Sequence, residues 1–189
     1  MASFIYARNV VSGVGGLFGR NQHQVTQKQN SILMVNKQKL YQSDYMKVAL
    51  QEASSAYDRR EVPVGAVIVD SATGDVVAKS GNRVEETKDP TAHAEMLVIR
   101  QATRSTGQVR LPNCDLYVTL EPCAMCAQAV SLARVRRLYF GAYDPNSGGV
   151  EHGARVFDHS TCHHRPEVVG GIAEADCASL LKAFFKDRR

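Results

Sequence analysis

The strongest constraint in this sequence is a set of histidine, glutamate and cysteine side chains in two short motifs. His93 and Glu95 belong to the first, His-Ala-Glu, while Cys123 and Cys126 belong to the second, Pro-Cys-Ala-Met-Cys. One imidazole and two thiols are soft ligands that suit zinc. Three protein ligands leave the fourth tetrahedral position open for water, whereas a structural zinc site normally fills it with another Cys or His. The pattern therefore predicts a catalytic zinc ion bound by His93, Cys123 and Cys126.

Each motif is expected to open a helix, one over residues 92–104 and the other over residues 123–133. The positive end of a helix dipole lowers the pKa of a thiol, so Cys123 and Cys126 can bind as thiolates, and their i, i+3 spacing places them on one face. Side chains two positions apart do not share a face, so Glu95 should reach the bound water or the substrate rather than the metal. There it can accept a proton from water that zinc has made acidic and return it to the substrate. A structural zinc site and a redox-active cysteine pair are the alternatives, and the combination of the two motifs disfavours both.

The remaining apolar patterns predict an α/β fold. Strand–helix–strand alternation in the middle of the chain implies parallel pairing, and an early hairpin implies antiparallel pairing. The expected strands are residues 66–69, 75–79, 116–120, 138–141 and 168–169. Two further helices are expected, one that Ser43 or Asp44 caps and one over residues 174–186. We therefore expect three layers, α/β/α, around a mixed central sheet of about five strands.

The overall composition limits the classes of protein that fit. The formal net charge is +4 over 189 residues, which permits a polyanionic partner such as RNA without requiring one. Five cysteines, an odd number with two at C-x-x-C spacing, make a poor disulfide framework and indicate a reducing compartment. The sequence has no run of about eighteen apolar residues, so no membrane span is predicted. A cytoplasmic location follows from these features.

The N-terminal segment, residues 1–43, differs from the rest of the chain. It contains no Asp or Glu but carries several Arg and Lys residues among scattered Ser, Gln and Asn. An acid-free segment that contains arginine is typical of an organellar transit peptide. We favour the other interpretation, an extension without function, because Met34 could begin a compact protein. We assign residues 44–189 to a single zinc-dependent domain and exclude the extension from the fold.

At the two motifs the sequence resembles the cytidine and deoxycytidylate deaminase superfamily, whose zinc signature is H-x-E followed by P-C-x-x-C. The resemblance covers roughly residues 42–189. Within the superfamily, the sequence is most similar to the bacterial-type tRNA-specific adenosine deaminases. This similarity is carried, besides the motifs, by residues 61–66, 81–83, 89–95 and 116–126 and by the Phe-Phe-x-x-Arg-Arg ending.

This resemblance implies a cytidine-deaminase-like fold and hydrolytic deamination of the wobble adenosine of a tRNA anticodon to inosine, with zinc-activated water. It also implies a homodimer with one zinc ion per subunit and an anticodon stem-loop as the partner. Carried over by position, Glu95 is the catalytic residue, Asn82 contacts the target nucleoside and Asp144 lies near its ribose. The end of the last helix is expected to meet the anticodon loop through Phe184, Phe185 and Arg188.

Several of these residues also have a structural interpretation. Asn82 follows a glycine and could be a turn residue in left-handed geometry, and Asp144 could be a solvated loop acid. Phe184 and Phe185 are adjacent on a helix and cannot face the same way, so one of them should belong to the core. Asn146 stands where the family often has Lys, a departure that bears on any phosphate contact by that position.

Two other functions share part of the pattern. A free-base deaminase that acts on guanine or cytosine carries the same zinc motifs, but residues 119–122 and the C-terminal Phe-Phe-x-x-Arg-Arg favour the tRNA enzyme. A non-catalytic RNA-binding subunit would keep zinc and lose the proton-transferring carboxylate, whereas Glu95 is present here.

We predict that a chain beginning at Met34 folds and acts on its substrate as well as the full-length chain. The residues removed carry no periodic apolar pattern, so they should contribute little to a packed core. Thermal unfolding and activity, measured on the two proteins side by side, test this. A large loss of melting temperature on truncation would contradict it.

Overall fold

The computed structural model describes residues 42–188 of the chain. Its strands are β1 Gly65–Asp70, β2 Val76–Gly81, β3 Cys114–Leu120, β4 Arg137–Ala142 and β5 Glu167–Val169. Over this range they form one sheet in the order β2-β1-β3-β4-β5. Strand β1 pairs antiparallel with β2 and β3, whereas β3, β4 and β5 pair in parallel. The mixed sheet of about five strands is therefore confirmed.

The helices are α1 Gln42–Asp58, α2 Val84–Thr87, α3 Ala94–Thr106, α4 Ala124–Ala133 and α5 Glu174–Lys186, with a 3-10 turn at Val156–Asp158. Helix α5 has the predicted bounds. Helix α1 begins before Ser43 and Asp44, which lie in its first turn, so the predicted cap is wrong. Helix α2 was not predicted, because four residues are too few to show a helical period. Across this described part of the chain, none of the helices has the length and apolar character needed to cross a membrane.

The N-terminal extension predicted over residues 1–43 lies outside the described residues except for Gln42 and Ser43, which belong to α1. The predicted start of the folded domain, residue 44, therefore lies two residues after Gln42, the first described residue of helix α1. The roles suggested for the preceding residues stay predictions.

Alternation along the strands gives the sheet two apolar faces. In β1, Ala66 and Ile68 contribute to one core, and Val67 and Val69 contribute to the other. The first core is completed by side chains of α3 and α4, and the second by side chains of α1 and α5. Helices therefore cover both faces, and the predicted α/β/α arrangement is confirmed.

The strand ends that position the candidate site lie at one edge of the sheet. The parallel strands β3 and β4 end there at Leu120 and Ala142, which are paired. The antiparallel strand β1 begins there at Gly65, which pairs with Gly81 at the end of β2. Ligands in open α/β sheets commonly bind outside the carboxyl ends of the strands. The loops that leave this edge contain most of the predicted site residues.

Helix α1 lies directly against this edge because two glycines allow its close approach. A Cβ atom on Gly65 would lie 2.0 Å from the Ala49 carbonyl oxygen, and one on Gly81 would lie 2.4 Å from the Glu52 carbonyl oxygen. Both neighbours are backbone atoms, so a larger residue would have to displace the helix. This close packing positions the residues that follow α1, Arg60 and Glu61, at the same edge of the sheet.

Candidate active site

Two helices begin at the site and present the predicted metal ligands from their first residues. His93 is the N-cap of α3, with φ −68° and ψ 150°, and Cys123 is the N-cap of α4, with φ −66° and ψ 171°. Cys126 follows in the first turn of α4. Both helices start one or two residues later than predicted, which places His93 and Cys123 on extended backbone just before the helical turn.

The three predicted ligands form one cluster. Nδ1 of His93 lies 3.7 Å from Sγ of Cys123 and 3.5 Å from Sγ of Cys126. Zn–S distances of about 2.3 Å and Zn–N distances of about 2.0–2.1 Å at tetrahedral angles place the nitrogen and sulfur ligands about 3.6 Å apart. The three ligand atoms lie within 4.8 Å of one another, so the cluster fits a zinc ion in both size and chemistry.

The two thiols have opposite pKa shifts. The hydrogen bond with Cys126 lowers the pKa of Cys123 to about 4, with a further contribution from the His93 ring. The same hydrogen bond, together with burial, raises the pKa of Cys126. The two sulfur atoms therefore interact directly. Both must bind zinc as thiolates, because thiolates and not thiols are the ligands of zinc.

Glu95 is a buried carboxyl group beside this cluster. It is only 3% exposed, and its Oε2 atom makes no hydrogen bond with any described residue. Burial raises its pKa to about 7. Buried polar atoms without a partner are rare and mark functional groups, so this oxygen is suited to exchange a proton with a molecule in the cavity.

A cavity of about 270 Å³ opens in front of the cluster. The predicted site residues that line it are Asn82, His93, Glu95, Cys123, Asp144 and Arg188. Its apolar walls are Val62, Val64, Val84 and Leu120. Small-ligand pockets usually measure about 300–1,000 Å³, so this one accepts a single base or nucleoside and not a longer segment of polymer. Cys126 is fully buried behind the cavity.

Asn82 is held in a fixed orientation by the backbone around it. Its Oδ1 atom accepts a hydrogen bond of 2.8 Å from the N–H of Ala94, the first residue of α3. Its carbonyl accepts a bond from Arg59, and its own N–H donates to the Val64 carbonyl. Because Oδ1 is occupied, the side-chain amide of Asn82 offers donors to the cavity. Asn82 is not a turn residue in left-handed geometry, because its φ angle is not positive.

Two buried glutamates of the cavity were not predicted to have a role. Glu61 accepts hydrogen bonds from the N–H groups of Glu85 and Glu86 and so caps the short helix α2. Glu121 accepts bonds from the loop that follows β4, including the N–H of Asp144 at 3.1 Å. Their positions in the sequence could have indicated such a role, because each of these acidic residues adjoins an apolar strand. Glu61 precedes β1 and Glu121 follows β3.

At the end of α5, one of the two adjacent phenylalanines is buried and the other is exposed, as expected. Phe184 is buried and packs edge-to-face on Tyr57 at a ring distance of 5.7 Å. Phe185 is 51% exposed and lies outside the residues that line the cavity. The guanidinium of Arg188 lies 4.1 Å from the centre of the Phe184 ring and donates to the Arg60 carbonyl. Burial therefore favours a packing role for Phe184 and leaves Phe185 on the surface.

We predict that Asn82→Ala destabilises the protein by about 1–3 kcal/mol, because it leaves the buried N–H of Ala94 without an acceptor. Asn82→Asp keeps an oxygen at the helix N-terminus, where negative charge is favourable, and should lose less stability. Chemical denaturation of the two variants and the parent measures both values. An Asn82→Ala protein as stable as the parent would contradict the assigned hydrogen bond.

Comparison with known proteins identifies relatives of this chain. The profile of the cytidine and deoxycytidylate deaminase zinc-binding region matches residues 40–142. A tRNA-specific adenosine deaminase of Agrobacterium fabrum is 57% identical over 145 residues, which covers 77% of this chain and 94% of that relative. The enzyme of the same name from Bacillus subtilis is 44% identical, covering 77% of this chain and 89% of its own length.

A solved structure from a study of A-to-I editing by tRNA:A34 deaminases at the wobble position also matches. It is 56% identical to this chain, has a TM-score of 0.72, and the match covers 74% of this chain and all of that one, 100%. The profile includes all three predicted zinc ligands and Glu95, and the relatives are matched over most of their length. The chain therefore belongs to the cytidine and deoxycytidylate deaminase family and, within it, to the tRNA-specific adenosine deaminases.

Proposed function

We propose that this protein hydrolyses the wobble adenosine of a tRNA anticodon to inosine and releases ammonia. One zinc ion per subunit would be ligated by His93, Cys123 and Cys126, which meet at distances suited to it. Zinc in this position would supply a water molecule acidic enough to lose a proton near neutral pH. The observation that carries the proposal is the buried Oε2 of Glu95, which lacks a partner among the described residues and belongs to a side chain that lines the same cavity.

Glu95 transfers both protons of the reaction. The net change adds water to adenosine, forms a C6–O bond and breaks the C6–N6 bond. Glu95 accepts the first proton from the attacking water and delivers it to N1 of the ring. It then accepts the second proton from the same oxygen, now bonded to C6, and passes it to N6, which leaves as ammonia, so the carboxyl group ends in its starting state. A group used twice in this way benefits from a pKa near the working pH, and burial raises the pKa of Glu95 to about 7.

Asn82 and Asp144 position the nucleoside. The amide of Asn82 donates to an acceptor nitrogen of the purine, because its oxygen already accepts from Ala94. One carboxylate oxygen of Asp144, Oδ1, accepts the N–H groups of Asn146 and Ser147. Its other oxygen is then the atom that meets a ribose hydroxyl.

The RNA itself is the source of the remaining affinity. An anticodon loop presents unpaired bases, so one base can leave the stack at low cost. Contacts remote from the reacting carbon add binding energy that a free base lacks. The candidates are Phe185 and Arg188 at the end of α5, one exposed and the other at the wall of the cavity.

The protein acts as a cytoplasmic homodimer in this proposal. Two large apolar side chains near the metal-binding helix are exposed, Val109 at 84% and Leu132 at 65%. Leu132 belongs to α4, and the loop that carries Val109 joins that helix through a hydrogen bond from Leu111 to Ala133. A second copy that covered these side chains would remove them from water. An organellar location would follow only if residues 1–43 act as a transit peptide.

The deciding experiment compares substrates under one set of conditions. Zinc-loaded protein is incubated with an anticodon stem-loop that carries a wobble adenosine, and separately with adenine, guanine and cytosine. We expect equal amounts of ammonia and inosine from the stem-loop and much slower release from each free base. Faster turnover of guanine or cytosine would support a free-base deaminase, and RNA binding without any ammonia would support a non-catalytic subunit.

A Glu95→Gln variant tests the assignment of the proton-transferring group. Single-turnover deamination should fall by about 10²–10⁴-fold, because the amide cannot transfer the protons. Metal analysis should still find one zinc ion per chain, since Glu95 is not a ligand. Cys123→Ala is the matched control, and it should lose tight zinc binding. Near-normal turnover by the first variant, or full zinc occupancy in the second, would refute the respective role.

A further inference from the structure

We propose that Glu121 and His152 are a positioning pair that fixes Asp144 at the wall of the cavity and thereby controls substrate binding. This inference rests on the proposed function, because it assigns Asp144 to the nucleoside. Neither member of the pair carries a proton in the reaction. Both act through the loop that follows β4, residues 143–153.

Glu121 gathers five hydrogen bonds from this loop. Its Oε1 accepts the N–H groups of Val150, Glu151 and His152 at 3.2, 2.8 and 2.9 Å. Its Oε2 accepts the N–H of Asp144 at 3.1 Å and lies 2.8 Å from Nδ1 of His152. The Glu121 side chain is 0% exposed, so these bonds replace all of its contact with water. A buried carboxylate with so many donors holds both ends of the loop together.

The loop has little room to move away from Glu121. A Cβ atom on Gly148 would lie 2.6 Å from the Glu121 carboxyl group, and one on Gly149 would lie 2.5 Å from the Ala124 nitrogen. The N–H of Gly149 also donates to the Pro122 carbonyl at 2.8 Å. The loop therefore packs on Glu121 and on the first residue of α4 at the same time.

Asp144 is fixed as a consequence. Its N–H is held by Glu121, and its carbonyl accepts the N–H of Gly148 at 3.0 Å. Its Oδ1 closes a turn with the N–H groups of Asn146 and Ser147 at 3.1 and 3.0 Å. With backbone and Oδ1 both restrained, the second carboxylate oxygen has a defined position at the cavity.

The pair is separate from the proton-transferring group. Among residues 42–188, no hydrogen bond joins Glu121 or His152 to Glu95, or to any of the three predicted zinc ligands. Loss of the pair should therefore weaken binding and leave the chemical step intact. His152 is the better residue to change, because its side chain is 37% exposed whereas Glu121 is fully buried.

The test measures stem-loop deamination by zinc-loaded His152→Ala. We expect KM to rise about tenfold, as for the loss of one hydrogen bond to a charged group, with saturated single-turnover rate and zinc content unchanged. His152→Asn should restore most of the affinity, because its amide can donate to Glu121 in place of Nδ1. His159→Ala is the matched control, since the His159 side chain lies against the Ala154 carbonyl and, among residues 42–188, has no hydrogen bond with Glu121 or Asp144, so it should behave like the parent.

A second change separates positioning from general loss of structure. In an Asp144→Ala background, His152→Ala should raise KM by less than about twofold further, because the residue through which it acts is gone. A tenfold effect that persists in this background, a lower saturated rate, or zinc loss in His152→Ala would each overturn the inference. Hydrogen exchange at Asn146 and Ser147 gives a readout that does not need turnover, and His152→Ala should accelerate it. If the parent does not deaminate the stem-loop, the proposed function is wrong. Unchanged hydrogen exchange at Asn146 and Ser147 in His152→Ala would contradict the positioning pair independently of that result.

Discussion

Contact between His93 and the two cysteines requires that α3 and α4 begin at the same edge of the sheet. Strand β1 is antiparallel to both of its neighbours, so β2 and β3 run in the same direction and end at that edge. The chain therefore enters α3 and α4 from the same side, and their first residues meet at 3.5–3.7 Å. A slip of one residue in the pairing of β1 with β3 would exchange the two faces of the strand and move the ligands apart. The metal site thus depends on the register of the central strands as much as on its own motifs.

Three glutamates at this edge are almost fully buried, and their surroundings differ in an informative way. Glu61 and Glu121 are 1% and 2% exposed and accept backbone N–H groups of nearby loops. Glu95 is 3% exposed, yet its Oε2 has no partner among the described residues. A buried carboxylate that accepts several hydrogen bonds stabilises structure, whereas one whose hydrogen bonds do not offset burial has a raised pKa and can exchange protons. The contrast supports structural roles for the first two and proton transfer for the third.

The cluster of His93, Cys123 and Cys126 could be predicted because its residues lie in two short motifs with fixed spacing. The strands could be predicted because their apolar periods are local, and the hairpin and the strand–helix–strand order set the mixed pairing. Contacts between distant residues could not be predicted. His152 meets Glu121 across 31 positions of sequence, and no local pattern connects them. Similarly, only the packing of Phe184 on Tyr57 decides which of the two adjacent phenylalanines is buried.

The end of α5 links the core to the surface that RNA would meet. Phe184 anchors the helix against Tyr57, and Arg188 covers the same ring while it donates to the Arg60 carbonyl beside the cavity. The anchored ring therefore holds a cation at the rim of a cavity of about 270 Å³, which has room for a single nucleoside. A free base would lie within that cavity and touch nothing beyond it. In the proposed function, groups at the rim and outside it select the RNA: Arg188 would approach a phosphate and Phe185 would stack on a neighbouring base.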